Sequence, residues 1–280
     1  MLKLIILTSL INFHTATDTI PYVDSQALLE SFSELYEQEA YDQIISDMKL
    51  IGEADSNYVK AQNLLMLTYG KNGQLAEADA LGKKLQESGK DLSADFYVDY
   101  GNLFINEDRF KEAIAVYEKG LEVFPYEIKL IYNTGYSLMK LEEYDRAIPF
   151  FQRCVKIDPY YENAHRMLGA ITSFAGMRTR SLLSFFMGLA INPDHNASLV
   201  MSNNMVNDAS KNEGQIRLKL DNAAFEVYDQ LIKSNVALDD RYESKVNFNA
   251  PIAQQGELLL NSLEYTPNTG DFWMDYYVPM

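Results

Sequence analysis

The sequence predicts an all-α protein, a solenoid of helix-turn-helix repeats followed by a non-repetitive helical C-terminal region. Two observations carry this. Glycine falls at Gly101, Gly135 and Gly169, and proline at Pro125, Pro159 and Pro193, both with a period of 34. A small residue at Ala113, Ala147 and Ser181 and an aromatic at Tyr117, Phe151 and Phe185 keep the same period. A third observation extends the pattern: apolar residues recur at helical spacing well outside these columns.

Taken in order, residues 18–24 read as a polar linker. A helix begins at Ser25, with Leu28, Leu29, Phe32, Leu35 and Tyr36 on one face. Tyr41–Ile51 follows, with Ile44, Ile45, Met48 and Ile51 inside. Ile44 lies one period before Ala78, so this pair is a degenerate first repeat. The second copy pairs Ala61–Tyr69 with Leu75–Gln86 across an Asn72-Gly73 turn, a dipeptide that tolerates positive φ. Ala78 to Ala113 is one step longer than the period, and the stretch 88–93 can absorb the insertion. These two copies span 25–93.

Three regular copies span 94–195. Their helices are predicted over 94–105 and 110–124, then 128–141 and 144–157, then 162–174 and 178–191. The glycine lets the paired helices approach. Alanine or serine fills the reciprocal gap, the aromatic fills the groove between neighbouring repeats, and proline stops the second helix. Arg178 breaks the column of Phe110 and Tyr144, predicting a looser fifth copy. A capping helix is expected within 196–210. Asn212-Glu213-Gly214 then breaks the chain, and 211–280 reads as helical again over 222–234 and 251–263. This last region is expected to pack on the final repeat and close the apolar end.

The period and the columns resemble the tetratricopeptide repeat over roughly 25–195, most closely over 94–195. The resemblance implies a right-handed α-solenoid serving as a scaffold or adaptor. Cochaperone members of that family grip a C-terminal carboxylate with basic residues and two asparagines on successive first helices. Asn102 and Asn133 match the asparagines, but Val98, Asn163 and Met167 stand where basic residues belong, with Lys129 and Arg166 displaced. The clamp is incomplete, and binding of such a tail is not expected.

Charge narrows the partners. The net charge of −16 argues against nucleic acid and against polybasic attachment to anionic lipid. The start, Met1-Leu2-Lys3 followed by the apolar run 4–13, reads as a secretory signal over 1–17. It predicts a periplasmic or secreted protein, with an apolar first helix of a cytoplasmic protein as the alternative. The run is too short to span a bilayer, so no transmembrane segment is predicted. The aromatic-rich end, Phe272 to Met280, either tucks into the fold or marks a chain that stops short of its natural end.

No enzyme motif is present: no nucleophile elbow, phosphate loop, zinc-protease motif or EF-hand loop. His14, His165 and His195 are too dispersed for a metal cluster, and His165 occupies a packing column. One cysteine, Cys154, permits no intrachain disulfide and reads as a packed small residue. No cofactor is predicted, and the chain is not expected to be an enzyme. The alternative is an enzyme or enzyme subunit whose chemistry lies in 211–280 or beyond.

Binding remains. First helices line the concave side of such a solenoid. Residues away from the packing columns there are Val98, Asn102, Ile105 and Asn106, then Lys129, Tyr132, Asn133, Tyr136 and Lys140, then Asn163, Arg166, Ala170 and Phe174. The candidate contacts to a protein or peptide partner are Asn102, Asn106, Lys129, Tyr132, Asn133, Tyr136, Asn163 and Arg166. Tyrosine offers area at small entropy cost and asparagine can hold a peptide backbone.

Overall fold

The structure, a computed structural model, describes residues 23–194, 196–207, 214–234 and 251–280, with the backbone alone for 196–198, 206–207 and 251–253. The expected signal, His195 and the Asn212-Glu213 break lie outside the described residues. Among the described residues there are fourteen α-helices and no strand. The chain divides into two compact units after Lys84.

The first unit holds α1 (Ser25–Glu37), α2 (Tyr41–Lys49), α3 (Tyr58–Lys71) and α4 (Leu75–Glu87) as far as Lys84. Asp24 caps α1 by accepting a hydrogen bond from the Ala27 amide at 3.0 Å. Ile44, Met48, Ala61, Met66 and Ala78 are fully buried, so the predicted apolar faces form the core. α3 starts earlier than predicted, at Tyr58, because Tyr58 is itself buried.

The second unit holds α5 (Ala94–Ile105), α6 (Phe110–Val123), α7 (Ile128–Lys140), α8 (Tyr144–Ile157), α9 (Glu162–Phe174), α10 (Arg178–Ile191) and α11 (Asn196–Asn207). It continues with a 3-10 turn at Ala223–Phe225, then α12 (Glu226–Lys233), α13 (Pro251–Ser262) and α14 (Phe272–Tyr276). The glycine column gives the close approach of paired helices expected of it. A Cβ on Gly101 would lie 2.1 Å from Cε1 of Tyr117, and one on Gly169 2.8 Å from the Phe185 ring. Each aromatic therefore presses onto the glycine of its own repeat. Cys154 is fully buried, and burial pushes its thiol up to about 12, which leaves it unreactive.

A further column lies in the turns. The turns inside all five repeats place one residue in the left-handed region: Glu39, Gly73, Asp108, Glu142 and Gly176. The next amide in each turn closes on a carbonyl near the end of the preceding helix, as in Ala40 to Leu35, Gln74 to Tyr69, Arg109 to Phe104, Glu143 to Leu138 and Met177 to Thr172. That is the Schellman ending of a helix. Because glutamate and aspartate fill three of the five places, residue identity hides the column.

The fifth repeat is not loose. Arg178, Thr179, Arg180, Ser181, Leu182, Leu183, Ser184 and Phe185 are all buried. The polar side chains of α10 are buried because Asp221, Asn222, Asp229, Asp271 and Trp273 of the C-terminal segment bond along it. Arg180 is fully buried and donates to Asp271, to Asn222 and to the Asp221 carbonyl, with its guanidinium 4.9 Å from the Phe225 ring centre and 5.4 Å from that of Trp273. Asp229 accepts from the Thr179 amide at 2.7 Å and from Asn222 at 2.8 Å. The aromatic run is tucked in: Trp273 Nε1 donates to Ser184 at 2.9 Å, Tyr276 to the Val155 carbonyl at 2.8 Å, and Tyr277 to His165 at 2.7 Å.

Candidate functional site

The first helices of the second unit's repeats are α5, α7 and α9. α5 packs on α7, and α9 on α11, so first helices touch across repeats. This is the arrangement that places them on the inner side of a bend. The C-terminal segment bonds to the first helix α9, where Tyr277 donates to His165 and the Gln215 and Ile216 amides donate to the Phe174 carbonyl, and to second helices. Its partners on the second helices are Asp145 and Val155 on α8, and Thr179, Arg180 and Ser184 on α10. The expected packing on the last repeat is thus joined by contacts to the fourth.

Asn102 and Asn133 come together across adjacent repeats. Oδ1 of Asn102 accepts from the Tyr117 hydroxyl at 2.7 Å and from Nδ2 of Asn133 at 3.1 Å. Among the described residues this leaves Nδ2 of Asn102 as a donor and Oδ1 of Asn133 as an acceptor. Burial raises the Tyr117 hydroxyl well above its ordinary value, so it stays protonated and donating.

Tyr132 and Tyr136 stack with ring centres 6.4 Å apart. Tyr132 also meets Phe151 and Tyr161 edge-on at 5.6 and 5.5 Å. Burial raises its pKa, and the Arg166 charge partly offsets this. Tyr132 therefore packs against three rings, and both tyrosines are half-buried. Arg166 donates to Asn163 at 2.9 Å and lies 3.8 Å from Glu162.

Lys129 bonds to Asp95 at 3.1 Å, one repeat away, and both are exposed. Its pKa is raised by that hydrogen bond and by the charges of Asp95, Glu127 and Asp99. Asp95 and Asp99 lie outside the pattern of amides, rings and cations that the sequence offers as candidates. Their acidity makes the third repeat's end of the face unsuited to an acidic tail. Val98 and Ala170 are buried and do not face solvent, since neighbouring helices cover them. Asn106 caps the C-terminal end of α5 and is exposed; among the described residues no side-chain bond joins it to the others.

His165 is fully buried. Its Nε2–H donates to the Pro159 carbonyl at 2.8 Å, and its Nδ1 accepts from Tyr277. Burial lowers its pKa. Among the described residues no group of three or more side chains could hold a metal ion, and no helix is long and apolar enough to cross a membrane.

The tetratricopeptide repeat profile matches residues 94–126 and 128–161, the two copies that hold Asn102, Tyr132, Asn133 and Tyr136. These residues carry two tetratricopeptide repeats. The nematode Caenorhabditis elegans has a similar protein, the tetratricopeptide repeat-containing protein trd-1, 23% identical over 163 residues. That match covers 56% of this chain and only 21% of the relative. Among solved structures the chain resembles YrrB, described as a TPR protein with an unusual peptide-binding site, at 18% identity and a TM-score of 0.50, over 63% of this chain and 91% of YrrB. It resembles MamA at 21% identity and a TM-score of 0.51, over 59% of this chain and 96% of MamA. At these identities the likeness is one of fold: an α-solenoid of tetratricopeptide repeats.

Proposed function

We propose that the chain is a protein-interaction scaffold, not an enzyme, and that it holds an extended segment of a protein partner along the first-helix face of repeats three to five. One observation carries the reading: the bonds of the C-terminal segment fall on α8, α9 and α10, and the Asn102–Asn133 pair on α5 and α7 lies outside them, with Tyr136. The free amide donor of Asn102 and the free carbonyl of Asn133 match the alternating C=O and N–H of an extended backbone. Tyr136 and Tyr132 supply an apolar surface beside them, Arg166 and Asn163 a polar end, and Lys129 with Asp95 the other. Asn106 and Lys140 extend the face towards the turns.

Groove binding of this kind is expected at about micromolar affinity, roughly −8 kcal/mol. Purified partners captured by the wild type should be lost by an Asn133→Ala, Tyr136→Ala, Arg166→Ala variant, at a cost of about 2–4 kcal/mol. Tyr132 is left in place because its removal would damage packing. If the folded variant binds the same partners with unchanged affinity, the face is not the binding site. Export, supported by the sequence of residues 1–17, belongs to the same proposal; the intact mass of the mature protein tests it.

A further inference from the structure

The loops that join repeat three to four and four to five carry large apolar side chains in solvent. Val123 is 58% exposed and Tyr126 76%; one repeat later Ile157 is 38% exposed and Tyr160 77%. The two tyrosines each follow the proline that ends a second helix, so both are held on rigid turns. Arg153 of α8 donates to the Pro125 carbonyl, which ties the second loop's helix to the first loop. The stripe stops after these two loops. The preceding equivalent of Tyr126 is Leu92, half-buried, and the following one is Asp194, exposed. Exposed apolar side chains repeated on neighbouring junctions in this way point to an interaction surface.

We infer that this edge is a self-association surface, and that its partner is the same edge of a second copy of the chain, running antiparallel. The charges on the stripe select that partner. Glu122 and Lys156 occupy equivalent positions in the last turns of α6 and α8, just before the two loops, and both are exposed. Lys156 leans over the Phe272 ring, 5.3 Å from its centre, which fixes where it stands. In a two-fold contact residue i of one copy meets residue j of the other, and j meets i. An axis passing between the loops brings the first loop of each copy to the second loop of the other. Val123 and Tyr126 then face Ile157 and Tyr160, and each Glu122 faces a Lys156. Because the stripe is two loops long, the pairing closes on itself and does not propagate into a fibre. The surface is small, which puts the dimer at the weak end of specific interfaces.

The test is sedimentation velocity on the full chain from about 1 μM to about 1 mM, a range that spans weak association constants. A concentration-dependent dimer that weakens as salt is raised is expected. Tyr126→Ala with Tyr160→Ala should weaken it at least tenfold. Glu122→Lys alone and Lys156→Glu alone should each weaken it, and the two changes together should restore it. Tyr136→Ala, on the first-helix face, should leave it unchanged, which separates this surface from the proposed groove. Circular dichroism melts confirm that each variant is folded; all four stripe positions are exposed. A monomer at every concentration overturns the proposal and leaves the stripe to a different protein. A dimer that the paired charge reversal fails to restore overturns the antiparallel pairing.

Discussion

The repeats over 94–161 and the described parts of the C-terminal segment, 214–234 and 251–280, both contain helices, and they are held by opposite means. In the repeats each glycine receives an aromatic ring from its own copy, Gly101 from Tyr117 and Gly135 from Phe151, at the same separation along the chain. The contacts are local, apolar and repeated. The C-terminal segment is held by single polar anchors to distant residues: Arg180 with Asp271, Thr179 with Asp229, His165 with Tyr277. The difference teaches that a repeat survives erosion of any one column, whereas a unique anchor has no second copy to share its load.

The largest expected effect follows from the anchors. Arg180→Met removes a fully buried cation and leaves Asp271, Asn222 and the Asp221 carbonyl without their donor. Loss of one partner from a buried pair costs about 3–5 kcal/mol. Thermal melting should show it. The near-ultraviolet signal of Trp273, the one tryptophan, should fall, because its ring stacks on that guanidinium. A variant as stable as the wild type would put the burden of holding 214–280 on apolar contacts instead.

Two glycine substitutions sharpen the other half of the comparison. Gly101→Ala forces a methyl against Tyr117 and should destabilise by about 1–3 kcal/mol, the usual cost of overpacking. At Gly188 an added Cβ meets nothing nearer than 3.8 Å, so Gly188→Ala should stabilise by up to about 1 kcal/mol through helix propensity. Urea titration of both variants reads the contrast, and equal effects would mean the glycine column has no packing role.

The smallest effect is on pH. Burial lowers the pKa of His165 from 6.5, so the unfolded chain binds a proton that the folded chain resists. Stability is therefore intact above about pH 6.5 and declines as pH falls below it, until the folded pKa is passed. Melting temperatures from about pH 7.5 down to about pH 5 should drop less steeply in His165→Gln than in the wild type. Parallel slopes would show that another group carries the dependence.

The fold was legible because physics repeats in it. Four columns at one period identified the helix pairs over 94–195, and the apolar faces located the first unit's core. The turn column was hidden, since Glu39, Asp108 and Glu142 adopt the left-handed conformation that sequence assigns to glycine. Arg178 suggested looseness because a charged residue in an apolar column reads as damage. With Arg180 it instead begins a helix whose polar contacts lie far away in sequence, at Asn222 and Asp229. Of the candidate site, the Asn102–Asn133 pair came from register alone. The packing of Tyr132 on Tyr161 and the acidic neighbours of Lys129 depend on how successive repeats are placed, which no single helix pattern encodes.

The long reach of the anchors has a consequence in time. Tyr276 bonds to Val155 across 121 residues and Tyr277 to His165 across 112. Repeats can form as they leave the ribosome, since their contacts are near neighbours in the chain. The bare sides of α8 and α10 must wait until the stretch 271–280 has been made. Until then a nascent chain carries an open apolar flank and an uncompensated Arg180, and a chain stalled or clipped before Asp271 carries them for good. Quality-control chaperones would therefore meet this protein as a solenoid already folded but not yet sealed along one side.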